Sequence, residues 1–311
     1  MPMVEIRGVT KVYGSLVALH ELNLTLEPGE IFGFIGPNGA GKTTTIKILA
    51  TLLEPSTGKA FVDGIDVTAD PEAVRAVIGY MPDSFGVYDD FKVWEYLDFF
   101  AAAYKVPKVD RPGLVDMVLE LTNLTVKKDA WVESLSRGMK QRLCLARTLV
   151  HNPKLLLLDE PASGLDPRAR IELREMLREL RSMGKTIVVS SHILPELADF
   201  CTNVGIIEKG VLKVAGPIGD VLGSRRSVRR LEIQPADTDR ATARLVLASN
   251  ADVANVDDKS DVWVVDLAGD LDSQSQLMRE LLDAGVRLHR FAEKTDNLED
   301  LFLSVTEGVV S

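Results

Sequence analysis

Nine consecutive residues, Gly36-Pro37-Asn38-Gly39-Ala40-Gly41-Lys42-Thr43-Thr44, place three glycines ahead of a lysine and two hydroxyls. Glycines at 36, 39 and 41 let the backbone curl so that successive N–H groups point inward. The apolar run 31–35 reads as a buried strand, and the apolar-periodic run 45–53 reads as a helix whose N-terminus adds the positive end of its dipole. The product is an anion cradle. Lys42 can reach the outer phosphates of a nucleoside triphosphate, and the Thr43 hydroxyl is placed to bind magnesium. A second chemical stretch is Leu155-Leu156-Leu157-Leu158-Asp159-Glu160, an apolar run of strand length ending in two carboxylates. In a doubly wound sheet the C-terminal ends of strands line the ligand crevice, so Asp159 and Glu160 are positioned to act on bound magnesium and water. His192 stands just past a third apolar strand, 186–190.

The elements that must carry these residues can be followed in order. Val4, Ile6 and Val9 suggest a strand over 3–10 entering a turn at Gly8. Tyr13 follows in a turn-like Lys11-Val12-Tyr13-Gly14, where an exposed aromatic either packs or stacks on a nucleobase. Segments 58–64 and 65–67 read as short strands around an Asp-Gly turn, and 77–81 as a strand ending at Pro82-Asp83. Eight of the chain's 18 aromatic residues then fall between 85 and 104: Phe85, Tyr88, Phe91, Trp94, Tyr96, Phe99, Phe100 and Tyr104. Val93, Tyr96, Leu97 and Phe100 make one helical face for the core, whereas Trp94 and Phe99 lie off it and leave aromatic area for a partner. Helical patterns continue over 114–121 and 139–150. Asp166-Pro167 starts another helix, which Gly184 closes. Segments 205–210 and 211–214 read as a hairpin.

Gly216-Pro217 and the cluster Ser224-Arg225-Arg226-Ser227-Val228-Arg229-Arg230 mark a boundary. The reading is an α/β domain over 1–217 with a helical subdomain at about 84–152, a linker over 218–228, and a small α+β domain over 229–311. The last comprises strand 229–234, helix 238–248, strands 253–256 and 261–267, helix 272–284, strand 286–291 and a final helix from Leu298. This β-α-β-β-α-β order is the ferredoxin-like plan, and no catalytic constellation is legible in it.

A length of 311 residues fits about two domains, and 46% hydrophobic with 26% charged residues is ordinary globular composition. The net charge of -10 argues against a general nucleic-acid binder, which needs clustered Lys and Arg. No apolar run approaches the roughly 18 residues that cross a bilayer, and residues 1–7 lack a signal-peptide plan, so a cytosolic chain is expected. Cys144 and Cys201 are too few for a disulfide framework or zinc site and read as small buried thiols.

Phosphate loop, strand-end Asp-Glu and strand-end His together resemble the ATP-binding subunit of an ABC transporter, over roughly residues 3–217. Residues 36–44 resemble its Walker A loop, 155–159 its Walker B strand, Ser163-Gly164-Leu165-Asp166 its D-loop and His192 its switch histidine. Tyr13 matches the aromatic that stacks on adenine. The resemblance implies a P-loop NTPase fold with ATP and Mg2+ as ligands. It implies that the loop Gly36, Pro37, Asn38, Gly39, Ala40, Gly41, Lys42, Thr43 and Thr44 cradles the phosphates, that Thr43 and Asp159 hold magnesium, that Glu160 polarises the attacking water, and that His192 holds the γ-phosphate. Ser136 and Gly138 would contact the nucleotide held by a second ATPase subunit, with Asp166 beside it.

Two motifs depart from the family pattern. Leu135-Ser136-Arg137-Gly138-Met139-Lys140-Gln141 occupies the signature position, with Arg137 for the first glycine and Met139 for the glutamine. Asp83 replaces the Q-loop glutamine; it keeps an oxygen for the metal but offers no donor. The resemblance further implies a separate transmembrane permease docking near 85–104, a likeness at 298–306 to ATPase subunits of daunorubicin-type drug exporters, and a site of action at the cytoplasmic membrane face. Two alternatives stand beside it: a soluble ABC ATPase acting on nucleic acid or ribosomes, whose usual tandem cassettes and coiled-coil insertions are missing here, and a low-turnover regulatory module, suggested by Asp83 and Arg137.

Overall fold

The computed structural model describes residues 1–84, 86–191, 193, 197–223, 229–294 and 302. Phe85, His192 and the final helix read from Leu298 fall outside them, apart from Phe302. Two compact units divide the chain between Val221 and Leu222.

In the first unit the chain runs β1 (Val4–Tyr13), β2 (Leu16–Leu26), β3 (Ile31–Ile35), α1 (Lys42–Leu49), β4 (Thr57–Val62), β5 (Ile65–Asp66), α2 (Pro71–Val77) and β6 (Ile78–Met81). It continues with α3 (Val93–Ala103), α4 (Arg111–Leu121), α5 (Arg137–Leu149), β7 (Leu155–Leu158), α6 (Pro167–Ser182), β8 (Thr186–Ser191), β9 (Asn203–Glu208) and β10 (Val211–Pro217), and α7 (Ile218–Gly223) carries the chain across the boundary. One sheet is antiparallel, ordered β2-β1-β4-β5; the other is ordered β10-β9-β3-β8-β7-β6 and parallel except for the β9–β10 hairpin. Every residue of β3, β7 and β8 is buried, as expected of parallel strands covered on both faces. Phe32, Phe34, Ile46 and Leu49 join Val4, Leu22 and Val62 in the core that unites the two sheets with α1.

Several sequence expectations are corrected here. Strand β1 runs on to Tyr13, which pairs with Leu16, so Tyr13 ends a strand rather than occupying a turn. Strand β2 escaped the pattern because Glu21, at φ 44°, interrupts its alternation, and the β1–β2 register shifts along the pair. Helix α2 buries only Val74 and so shows no period, although Asp70 caps it by accepting from the Ala73 N–H at 3.0 Å and Pro71 opens it. On α3 the buried residues are Val93, Tyr96, Leu97 and Ala101, while Phe100 is only partly covered and joins an aromatic cluster with Tyr96 and Phe99. The stretch 218–223, read as linker, is helical: Ile218 N–H donates to Thr202 O at 3.0 Å and Val221 is buried.

In the second unit β11 (Arg229–Pro235), α8 (Arg240–Ser249), β12 (Val253–Asp257), β13 (Trp263–Leu267), α9 (Leu271–Asp283) and β14 (Leu288–Glu293) follow in β-α-β-β-α-β order. The sheet is antiparallel throughout, in the order β12-β13-β11-β14. Ala243 and Leu247 of α8 and Leu277 and Leu281 of α9 close a core with Leu231, Ile233, Trp263, Val265 and Leu267.

Candidate nucleotide site

Sheet register places the chemistry. Strand β8 lies between β3 and β7, with Ile35 opposite Ser191 and Leu158 opposite Val189, and β6 brings Met81 opposite Leu158. The C-terminal ends of four strands therefore meet at one edge, and among the described residues those that leave β3, β7 and β6 there are Gly36, Asp159 and Pro82. Parallel sheets bind ligands at this edge.

Residues 36–44 turn directly from β3 into α1. A Cβ on Gly36 would stand 2.3 Å from Ile207 O, so no side chain fits there. Gly41 has φ 112°, and a Cβ on it would meet Leu19 Cδ2 at 2.7 Å. The curl is thus enforced by close approach at one glycine and by left-handed backbone at the other. Lys42 is 5% exposed and its ammonium donates to Gly36 O at 2.5 Å and Pro37 O at 3.2 Å, with Glu160 Oε1 at 3.7 Å. Burial pushes the Lys42 ammonium below its ordinary pKa, opposed by the charges of Glu160 and Asp159.

At the mouth of the loop the Thr43 hydroxyl donates to Asp159 Oδ1 at 3.1 Å. Ser190 Oγ donates to the same carboxylate oxygen at 2.7 Å and accepts from the Glu160 N–H at 2.9 Å. Asp159, 1% exposed, is thereby anchored from helix α1 and from strand β8. Glu160 takes φ 49°, an uncommon conformation for a residue with a side chain, which turns the chain sharply beyond β7. One hydroxyl and one carboxylate oxygen side by side are the hard donors Mg2+ takes from a protein, substrate phosphates and water completing its shell. Thr43 and Asp159 therefore fit the metal. Sequence reasoning missed Ser190 as a functional residue; its signal was a hydroxyl ending the otherwise apolar run 187–189.

The remaining site residues are spread more widely. Tyr13 is 45% exposed, with Lys11 Nζ 5.2 Å from its ring centroid, so it is not a core residue. Asp83 is exposed and lines an open groove with Ser84, Leu135, Arg137, Lys140 and Ser163. Burial raises the Tyr80 phenol to about 12, and the charges of Asp159 and Asp83 add to that shift. Ser136 caps α5, its Oγ accepting from the Met139 N–H at 3.3 Å, and Asp166 caps α6 by accepting from Ala169 N–H at 3.0 Å. Among the described residues no hydrogen bond or ion pair joins Ser136 or Gly138 to the loop 36–44. A Cβ on Gly138 would touch only Leu165 Cδ2, at an ordinary 3.6 Å, so nothing inside this subunit requires glycine there. The link between α5 and the Walker B turn is Gln141, whose amide donates to Pro161 O.

A glycine cradle with a buried lysine, a Thr–Asp metal pair and a strand-end Glu on one edge of a parallel sheet define a phosphate-loop nucleoside triphosphatase. The family model described as ABC transporter matches residues 19–163. The bacitracin transport ATP-binding protein BcrA of Bacillus licheniformis is 33% identical over 98% of this chain and 98% of its own. Nod factor export ATP-binding protein I of Rhizobium meliloti (strain 1021) is 34% identical over 97% of this chain and 88% of its own. Among solved structures, cbiO1 from Clostridium perfringens superposes with TM-score 0.66 at 26% identity, covering 80% of this chain and 95% of that one. A dimeric post-hydrolysis ATP-binding cassette bound to ADP and Pi gives TM-score 0.63 at 26% identity, covering 70% and 99%. The chain belongs to the ABC transporter family, as an ATP-binding subunit that takes ATP with Mg2+ and hydrolyses it. Cys144 and Cys201 are free and buried, and burial pushes both thiols up, Cys144 to about 11.

Proposed function

We propose that this chain is the ATPase subunit of an exporter, closing as a dimer on ATP and passing that closure to a separate permease at the cytoplasmic face of the membrane. The observation that carries the reading is the Thr43–Asp159–Ser190–Glu160 chain of hydrogen bonds at the mouth of the glycine loop. In this reading the loop amides and Lys42 bind the β- and γ-phosphates, and Thr43 with Asp159 holds Mg2+. The metal, when bound, neutralises charge developing on the phosphates. Glu160 orients water and draws off its proton, His192 holds the γ-phosphate and Tyr13 stacks on adenine. Asp83 supplies an oxygen toward the metal.

Ser136 and Gly138 serve the nucleotide of a second copy. Glycine at 138, which nothing within the subunit demands, supports an approach from outside. Export is the direction that the name of the Rhizobium meliloti relative carries, and among the described residues no helix is long and apolar enough to cross a membrane. The permease docks on the aromatic surface of α3 and the segment before it, where Tyr88 is 56% and Phe99 46% exposed. The second unit is an accessory module for dimerisation or regulation.

Glu160→Gln tests the reading: Mg-ATP hydrolysis falls at least about 100-fold, the scale of losing a group that acts on the transition state, while light scattering at saturating Mg-ATP reports a dimer. Unchanged turnover sinks the Glu160 assignment, and a monomer sinks the shared site.

A further inference from the structure

The signature segment carries a cation where its family carries glycine, and the structure shows where that cation goes. Arg137 is the first residue of α5, directly after the cap Ser136. Its guanidinium lies over Gly164 of the loop 163–166: a Cβ on Gly164 would stand 2.5 Å from Nη2, 2.6 Å from Cζ and 3.0 Å from Nη1. Three near-equal distances describe a planar group lying broadside on the glycine. Gly164 is at φ 71°, so its missing side chain serves both the turn and the seat. Lys140, the other cation of the groove, is paired with Asp89 at 2.8 Å. Among the described residues Arg137 has no carboxylate within ion-pair distance, and the contact the structure gives its guanidinium is the one with Gly164.

From this packing we infer that Arg137 is a positioning residue: it clamps the N-terminus of α5 to the loop 163–166, so that Ser136 and that loop meet the partner-held nucleotide as one rigid piece. The inference rests on the shared site proposed above. Lysine would not substitute, because an ammonium on a flexible stem has no plane to lay on Gly164. Charge acting directly on phosphate would, in contrast, be largely preserved by lysine. The two roles therefore predict opposite results for one variant.

The full-length chain would be assayed as wild type, Arg137→Ala, Arg137→Lys, Gly164→Ala and the double variant Arg137→Ala/Gly164→Ala. Steady-state Mg-ATP hydrolysis and amide hydrogen exchange of residues 163–166 would be measured for each. Arg137→Ala is expected to lower kcat by roughly tenfold to a hundredfold, the scale of a small misplacement of a reacting group, with KM changed by less than about twofold, since a group that acts only in the transition state leaves ground-state binding alone. Exchange at 163–166 rises. Arg137→Lys falls with Arg137→Ala, and the double variant is no worse than Gly164→Ala, because both remove one contact. Rescue by lysine, additive losses in the double variant, or an Arg137→Ala enzyme with unchanged kcat and unchanged exchange would each overturn the clamp. Arg137 is exposed, so Arg137→Ala folds and keeps the test open even if Gly164→Ala does not. A wild type without Glu160-dependent hydrolysis would overturn the functional reading instead, and the exchange measurement would still judge the clamp.

Discussion

The phosphate loop and the signature segment both serve nucleotide, yet they are built in opposite ways. The phosphate loop is finished inside the subunit: Gly36 is seated against Ile207 O, Lys42 is held by two loop carbonyls, and Asp159 is gripped by Thr43 and Ser190. At the signature segment, Ser136 and Arg137 are exposed, a side chain at Gly138 would meet only Leu165 at an ordinary contact distance, and among the described residues the only internal tie of the serine hydroxyl is its cap to Met139 N–H. One half-site has its contacts completed inside the subunit, whereas the other is shaped for contact from outside. Substitutions in the first should damage binding and stability; those in the second should damage turnover alone.

The largest difference should come from Lys42→Ala against Ser136→Ala. Lys42→Ala leaves Asp159 and Glu160 facing each other without their cation, and hydrolysis should fall at least about 100-fold, with binding of a fluorescent ATP analogue to the monomer lost as well. Ser136→Ala should reduce turnover by about tenfold or more while leaving analogue binding intact. If Ser136→Ala also loses monomer binding, the two halves are not separate.

Next in size is a pair of glycines. Gly36→Ala forces backbone apart at Ile207 and should cost about 1–3 kcal/mol in chemical unfolding of the first unit. Gly138→Ala should stay within about 0.5 kcal/mol, as a surface change does, yet still slow hydrolysis. Equal destabilisation would erase the contrast. On the same scale as the Gly36 change is Ser190→Ala, which leaves the Glu160 N–H and one Asp159 lone pair without Ser190. A cost of about 1–3 kcal/mol for a buried group left unpaired should appear as a lower kcat with weakened Mg2+ dependence, and rescue by Ser190→Thr would show that the hydroxyl is responsible.

The same contrast decides what was legible in the sequence. The phosphate loop could be read because strand, glycines and helix are contiguous, and local chemistry sufficed. The Asp159–Glu160 edge was readable because an all-leucine run stopped at two carboxylates. What escaped depends on non-local pairing: the insertion of β8 between β3 and β7 is set by sheet order, so the bridging role of Ser190 appears only when 159 and 190 are adjacent in space. The seat of Arg137 on Gly164 needed three-dimensional proximity in the same way. In the second unit the alternation of β11 and β13 and the amphipathic faces of α8 and α9 were local signals, and their order emerged from sequence with boundaries off by one or two residues.

The smallest expected effect lies where the two regions join. His151 follows α5, the signature helix, and stacks on Tyr104 at the end of α3, rings 3.8 Å apart and 6° from parallel. Its Nε2 shares a hydrogen bond of 2.7 Å with Ile78 O, at the start of the strand that leads to Asp83. Burial holds the imidazole below its ordinary pKa; the bond to Ile78 O opposes that shift and Lys185 adds to it. Below pH 6.5 the unfolded chain therefore takes up this proton before the folded chain does. The stability that neutral His151 contributes is complete above pH 6.5 and declines as pH falls from there to the lower folded value. Thermal unfolding of wild type and His151→Gln should differ more at pH 8 than at pH 5.5. A gap that is the same at both would show that His151 contributes shape alone, and that the junction between signature helix and sheet does not respond to protons.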